Sequence, residues 1–145
     1  MSSQPSHEEL IAQARHDLCT EAEVTRLVHT FYGRAREDTV LGPVFTAHVP
    51  DWDRHLAQLV DFWSGLLRGT GRYSGKPMPM HLALPNVSAQ LFLRWLALFE
   101  DVTAGLGNPA LRDKANGLGA QIAERLWRNY QLHHWPRRAP STLRD

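Results

Sequence analysis

Tyr32, His55, His81 and Trp95 come from four separate segments and carry the side chains best suited to chemistry. A phenol hydroxyl and an indole N–H are hydrogen-bond donors that need an acceptor when buried. An imidazole can ligate a metal, donate a hydrogen bond or carry a proton, and it changes charge near neutral pH. His55 falls beside Leu59 and Trp63 on an apolar helical stripe. It reads as a core histidine with a satisfied hydrogen bond or as the polar group of a pocket. His81 sits in PMPMHLALP, flanked by Met80 and hemmed by prolines. It is either a loop histidine of no consequence or a ligand in an apolar setting. Tyr32 and Trp95, each taken alone, are core aromatics. The weight of the four lies in their combination.

Other chemistries have no matching motif. There is no G-x-S-x-G, P-loop, G-x-G-x-x-G or H-E-x-x-H sequence. Adjacent His133-His134 cannot form an i, i+4 metal pair, and no H-x₃-H occurs, so a zinc site is disfavoured. Cys19 is the single cysteine, which excludes an internal disulfide and a cysteine-rich metal site and fits a reducing compartment. It reads as inert rather than redox-active.

Helices must position these groups. Thr20 to Glu23 fits a capping box, and Val24, Leu27, Val28 and Phe31 recur at helical spacing. The pattern predicts a first long helix over 21–37. Pro43 is expected to open a short helix reaching Phe45. A second long helix should run from Asp51 to about Gly69, with Trp52, His55, Leu56, Leu59, Phe62, Trp63 and Leu66 on one face. The Gly- and Pro-dense stretch 69–87 has room for at most one helical turn, and loops of that length in compact domains are usually functional. A third long helix should start at Ser88 and bury Leu91, Trp95, Leu98, Phe99 and Val102. Asn108-Pro109 reads as an N-cap and first position for a fourth, ending near 131 with Leu118, Ile122, Leu126 and Trp127 as its stripe. No strand pattern or internal repeat is present. The organisation expected is a lead-in over 1–20, an all-α domain over 21–131 and a polar tail over 132–145.

Composition narrows the class. The 145 residues suffice for one domain, and 43% hydrophobic with 21% charged residues is ordinary for a globular protein. A formal net charge of +1 gives no general electrostatic reason to bind nucleic acid or a membrane. MSSQPSHEEL does not read as a secretory signal. Asp61 and Arg94 interrupt the longest apolar stretches, far short of the ~20 residues of a membrane span. The expectation is a cytoplasmic protein.

A single imidazole in an apolar setting is what the axial ligand of a haem iron requires. Three blocks carry a resemblance of the same kind: FYGRAREDTVLGPVF, DWDRHLAQLVDFWSGLLRGTGRYSGKPMPMHLALP and LFLRWLALF. In these blocks and their spacing the chain resembles the truncated globins of group III, and the glycine-pair motifs of the other groups are absent. The resemblance implies a two-over-two helical sandwich around haem b. It implies His81 as the axial iron ligand, with Tyr32, His55 and Trp95 on the distal side. Phe45, Leu59, Trp63, Tyr73 and Met80 would line the slot; which cations meet the propionates stays open, with Arg72 and Lys76 plausible by position alone. The lead-in and tail lie outside it.

The function so implied is tight binding of O₂ and other small ligands such as CO, NO or cyanide at a five-coordinate iron. Two donors aimed at a bound diatomic slow its release, which argues against daily reversible carriage. The alternative is an enzyme: O₂-dependent NO detoxification or peroxide chemistry. No flavin or nicotinamide motif is present, so turnover would require a separate reductase. A sensor or interaction module comes last, with no output domain in the sequence.

Overall fold

Thr20 starts the first helix, α1 (Glu21–Glu37). Its hydroxyl accepts the Glu23 N–H at 3.1 Å, and the Glu23 carboxylate accepts the Thr20 N–H at 2.9 Å, the reciprocal pair that the spacing predicts. Asp38 ends α1, and its carboxylate accepts the N–H groups of Val40 and Leu41, each at 2.9 Å, where α2 (Leu41–His48) begins. Asp51 caps α3 (Trp52–Arg68), which stops at Gly69 with φ 78°, a left-handed turn that glycine adopts without strain. Ser88 caps α4 (Ala89–Ala104), and Asn108 with Pro109 opens α5 (Pro109–His134). The computed structural model describes residues 6, 9, 14–73 and 87–144, and it is all-α there, with no strand. Among the described residues no helix is long and apolar enough to cross a membrane.

The helices form two packed pairs, α1 on α3 and α4 on α5, joined across the middle by α1 against α4. This is the two-over-two sandwich. Its centre is solid: Val24, Leu27, Phe31, Leu66, Leu67, Phe99 and Leu111 are all buried together. Polar ties hold the pairs. Glu21 accepts hydrogen bonds from Ser64, Arg68 and Arg72, linking the start of α1 to the end of α3. Burial works upward on the Glu21 carboxyl, but the bonds from Arg72, Ser64 and Arg68 outweigh it and hold it below its usual range. Arg94 of α4 grips both oxygens of Asp38 at 2.8 and 3.0 Å.

Four sequence expectations are revised. Pro43 stands third in α2 rather than first. The missing N–H costs nothing there, since the first turn has no intrahelical acceptor. Gly42 is required for a different reason: a Cβ there would lie 2.5 Å from the Arg36 carbonyl oxygen, where the chain folds back on α1. On α4, Leu91, Trp95 and Leu98 are only half-buried, while Leu96, absent from the expected face, is buried against α5. The helix is covered on two sides, so one stripe underestimates its apolar surface. At the C-terminus, α5 continues to His134, and the polar tail expected over 132–145 folds back on α5. Gln131 exchanges two hydrogen bonds with the Ser141 backbone at 2.9 and 3.0 Å, and Leu143 is buried beside Trp127 and Tyr130. The stretch 74–86, with the expected turn and the proline-hemmed histidine, lies outside the described residues.

Candidate functional site

The apolar faces of α2, α3, α4 and α5 leave a cavity of about 380 Å³ between them. That volume falls within the ~300–1,000 Å³ of small-molecule sites. Its walls are mostly apolar, with Phe62, Phe92, Ile122 and Leu126 among them. The structure brings seven of the nine sequence-derived site residues to this one cavity. Tyr32 comes from α1, Phe45 from α2, His55, Leu59 and Trp63 from α3, Tyr73 from just beyond α3, and Trp95 from α4. Met80 and His81 lie outside the described residues.

Tyr32 is the buried polar centre. Its ring meets Phe31, Phe45 and His55 edge-on at 4.8, 5.6 and 5.9 Å. Burial raises its phenol well above the ordinary range, and the Trp95 indole N–H, directed at the hydroxyl oxygen, acts in the opposite sense. The burial effect prevails, so the hydroxyl keeps its proton throughout the physiological range. The two donors read separately from the sequence thus stand in the wall of one cavity.

Trp95 is held by stacking. Its ring lies nearly parallel to Phe99, 8° apart at 5.1 Å, and Phe99 stacks in turn on Trp63 at 5.1 Å. Phe31 meets Trp95 and Phe99 edge-on at 5.3 and 5.4 Å. Gly119 of α5 closes the stack: a Cβ there would touch the Phe99 ring at 3.4 Å and Trp95 at 3.5 Å. On the outer side, His55 stands edge-on to Trp52 at 5.6 Å, and the Arg36 guanidinium covers Trp52 at 4.2 Å.

Sequence reasoning missed part of the wall. Gln58 and His48 face the cavity, as do Phe92, Ala123 and Leu126. Gln58 follows His55 by three positions, so helical spacing alone could have placed it on the same side. The α5 contribution had no such signal, because Ile122 and Leu126 read only as core. Arg72 is engaged by Glu21 and, at 3.3 Å, by Asp61. Among the described residues no group of three or more His, Cys, Asp or Glu side chains could hold a metal ion, so the cavity's own polar groups do not form a multidentate site.

No family model matches the chain. The group 3 truncated hemoglobin ctb of Campylobacter jejuni is 34% identical to it over 91 residues, which are 60% of this chain and 72% of the relative. The crystal structure of the group III truncated hemoglobin from Campylobacter jejuni matches with a TM-score of 0.72 at 27% identity, over 86% of this chain and 99% of that one. With a relative of this identity and coverage, and the same two-over-two architecture, the chain belongs to the group 3 truncated haemoglobins.

Proposed function

We propose that the cavity holds haem b, with His81 as the axial ligand and Phe45, Leu59, Trp63, Tyr73 and Met80 packed on the macrocycle. The residues in hand fit such a group: the cavity is apolar, and its buried polar focus is a neutral phenol rather than a charged side chain. When bound, a haem iron with one imidazole supplies an open position for a diatomic ligand. The observation that carries the reading is the convergence of Tyr32, Trp95 and His55 on the same cavity. Tyr32 would donate a hydrogen bond to a diatomic bound there, and the Trp95 indole N–H would be the second donor. His55, wedged between Tyr32 and Trp52, contributes a further polar group at the entrance. O₂ is then held tightly, and CO, NO and cyanide use the same position. Residence in the cytoplasm belongs to this reading, since a single cysteine fits a reducing compartment; burial pushes the Cys19 thiol up to about 11 and leaves it unreactive at neutral pH. A second reading, NO consumption or peroxide chemistry, needs an electron donor outside the chain, and the surface described below favours it.

Absorption spectra of the purified protein, ferric, ferrous and ferrous with CO, test the proposal. A Soret band that moves on reduction and on CO addition is expected, and His81→Ala should lose the five-coordinate spectrum or the haem itself. A protein that stays colourless and refuses added hemin would overturn it. So would an unchanged His81→Ala spectrum for the axial ligand. Trp95→Phe should change ligand off-rates, and unaltered O₂, CO and cyanide kinetics would return Trp95 to plain core.

A further inference from the structure

Half of the fourteen arginines pair with a carboxylate, Arg34, Arg68, Arg72 and Arg94 among them. Arg128, Arg137 and Arg138 make no ion pair among the described residues, and all three are exposed. They cluster around the end of α5. Leu132 and Trp135, there too, are 39% and 37% exposed, two of the three large apolar side chains most open to solvent. Arg128 and Leu132 are four apart and share a helix face. Arg138 lies in the turn after the helix, its guanidinium 5.5 Å from the Trp135 ring. Exposed Trp and Arg, with apolar area inside a charged rim, is the composition of interface hot spots.

The patch is also continuous with the cavity wall. Trp135 meets Trp127 edge-on at 6.2 Å, Trp127 meets Phe92 at 6.0 Å, and Phe92 lines the cavity. Ring contacts thus run from the exposed Trp135 to the cavity wall.

We propose that the Trp135 face docks an electron-donor protein whose contact surface is acidic. The proposal rests on the haem reading and names the partner that reading leaves open. One electron leaves the donor's reduced flavin and one ferric iron becomes ferrous; no bond forms or breaks, and no proton is transferred. An acidic protein fits better than a nucleic acid or a membrane. Three exposed arginines without an ion pair among the described residues sit beside an exposed Trp ring on a chain of net charge +1, and the ring contacts behind them lead to the cavity wall, which suits an acidic redox partner.

Reduced flavodoxin, an acidic flavoprotein, is the probe, used against the full-length haem-loaded chain. Two readouts are taken: the dissociation constant by calorimetry with oxidised flavodoxin, and the reduction rate at the Soret band by stopped flow. Arg128→Glu/Arg138→Glu should weaken binding and slow reduction at least tenfold at low salt, and the difference should shrink in 0.5 M salt as charges are screened. Arg54→Glu, an exposed reversal elsewhere, should do much less. Trp135→Ala should weaken binding while leaving its salt dependence intact. Equal effects of Arg138→Glu and Arg54→Glu would overturn the proposal. So would loss of binding to a DNA duplex or to phosphatidylserine vesicles with flavodoxin binding unchanged. Absence of a Soret band in the wild-type chain would instead show that the haem reading had failed.

Discussion

α3 is one helix in two environments. From Trp63 to Leu67 every residue is buried; from Trp52 to Phe62 none is. The apolar stripe runs through both halves without interruption. The second half joins Phe31, Phe99 and Leu111 in the solid centre, with Trp63 also reaching the cavity, whereas the first half faces the cavity. The difference teaches that an apolar stripe marks a face to be covered and not what covers it. Where the fold supplies side chains, burial is complete; where it stops short, a stripe of half-buried aromatics surrounds room for a ligand.

The sharpest test substitutes one residue of the solid centre and one of the cavity wall. Phe99→Ala should cost about 3–5 kcal/mol, since a large ring leaves a cavity that the stacked neighbours cannot fill. Leu59→Ala, in the cavity wall, should cost under about 1.5 kcal/mol in the haem-free protein, because it loses fewer contacts. Urea denaturation of the two variants would break the comparison if the losses were equal. Next in size is the boundary between the halves. Gly119→Val pushes the Trp95–Phe99 stack and should destabilise by about 1–3 kcal/mol, the range for overpacking. It should also alter ligand off-rates, because Trp95 carries the indole toward Tyr32. Normal kinetics in a destabilised variant would separate the stack from the site.

A smaller effect is expected at the phenol. Tyr32→Phe should raise the O₂ off-rate about tenfold, equivalent to ~1.4 kcal/mol, while leaving the urea midpoint of the haem-free chain nearly unchanged. A large stability loss with unaltered off-rate would move Tyr32 to the solid half. The smallest concerns the rim. The Arg94 guanidinium, followed by the Leu41 N–H, holds the Asp38 carboxyl at about 2, below its ordinary 3.8. A carboxyl lowered by folding contributes stability that is present above its unfolded value and lost as pH falls through its folded one. The contribution should therefore fade between about pH 4 and pH 2, and Asp38→Asn should flatten that part of the curve of thermal midpoint against pH.

The elements were legible because their signals are local. Thr20, Asp51, Ser88 and Asn108 each cap the helix that follows them, and hydrogen bonds spanning three residues are written in three residues of sequence. Tyr32, His55 and Trp95 could be singled out because polar or amphipathic groups on apolar stripes need partners. The fold-back of Leu143 was not legible: its backbone N–H donates to Glu124 at 2.9 Å, a pairing of residues nineteen apart that no periodicity announces. Leu96 escaped for a similar reason, since its cover comes from α5 and the C-terminal segment.

By itself, the sequence determined where helices start, which faces are apolar, and which few side chains could bind or donate. These depend on neighbours within one or two turns. Only the tertiary structure decided that Gly119 of α5 would leave space for the Trp95 ring and that Trp95 and Tyr32 would line one cavity. It likewise decided that one half of α3 would be filled and the other left open. Close packing is a property of surfaces brought together from distant parts of the chain, and the space they fail to fill is written in none of them separately.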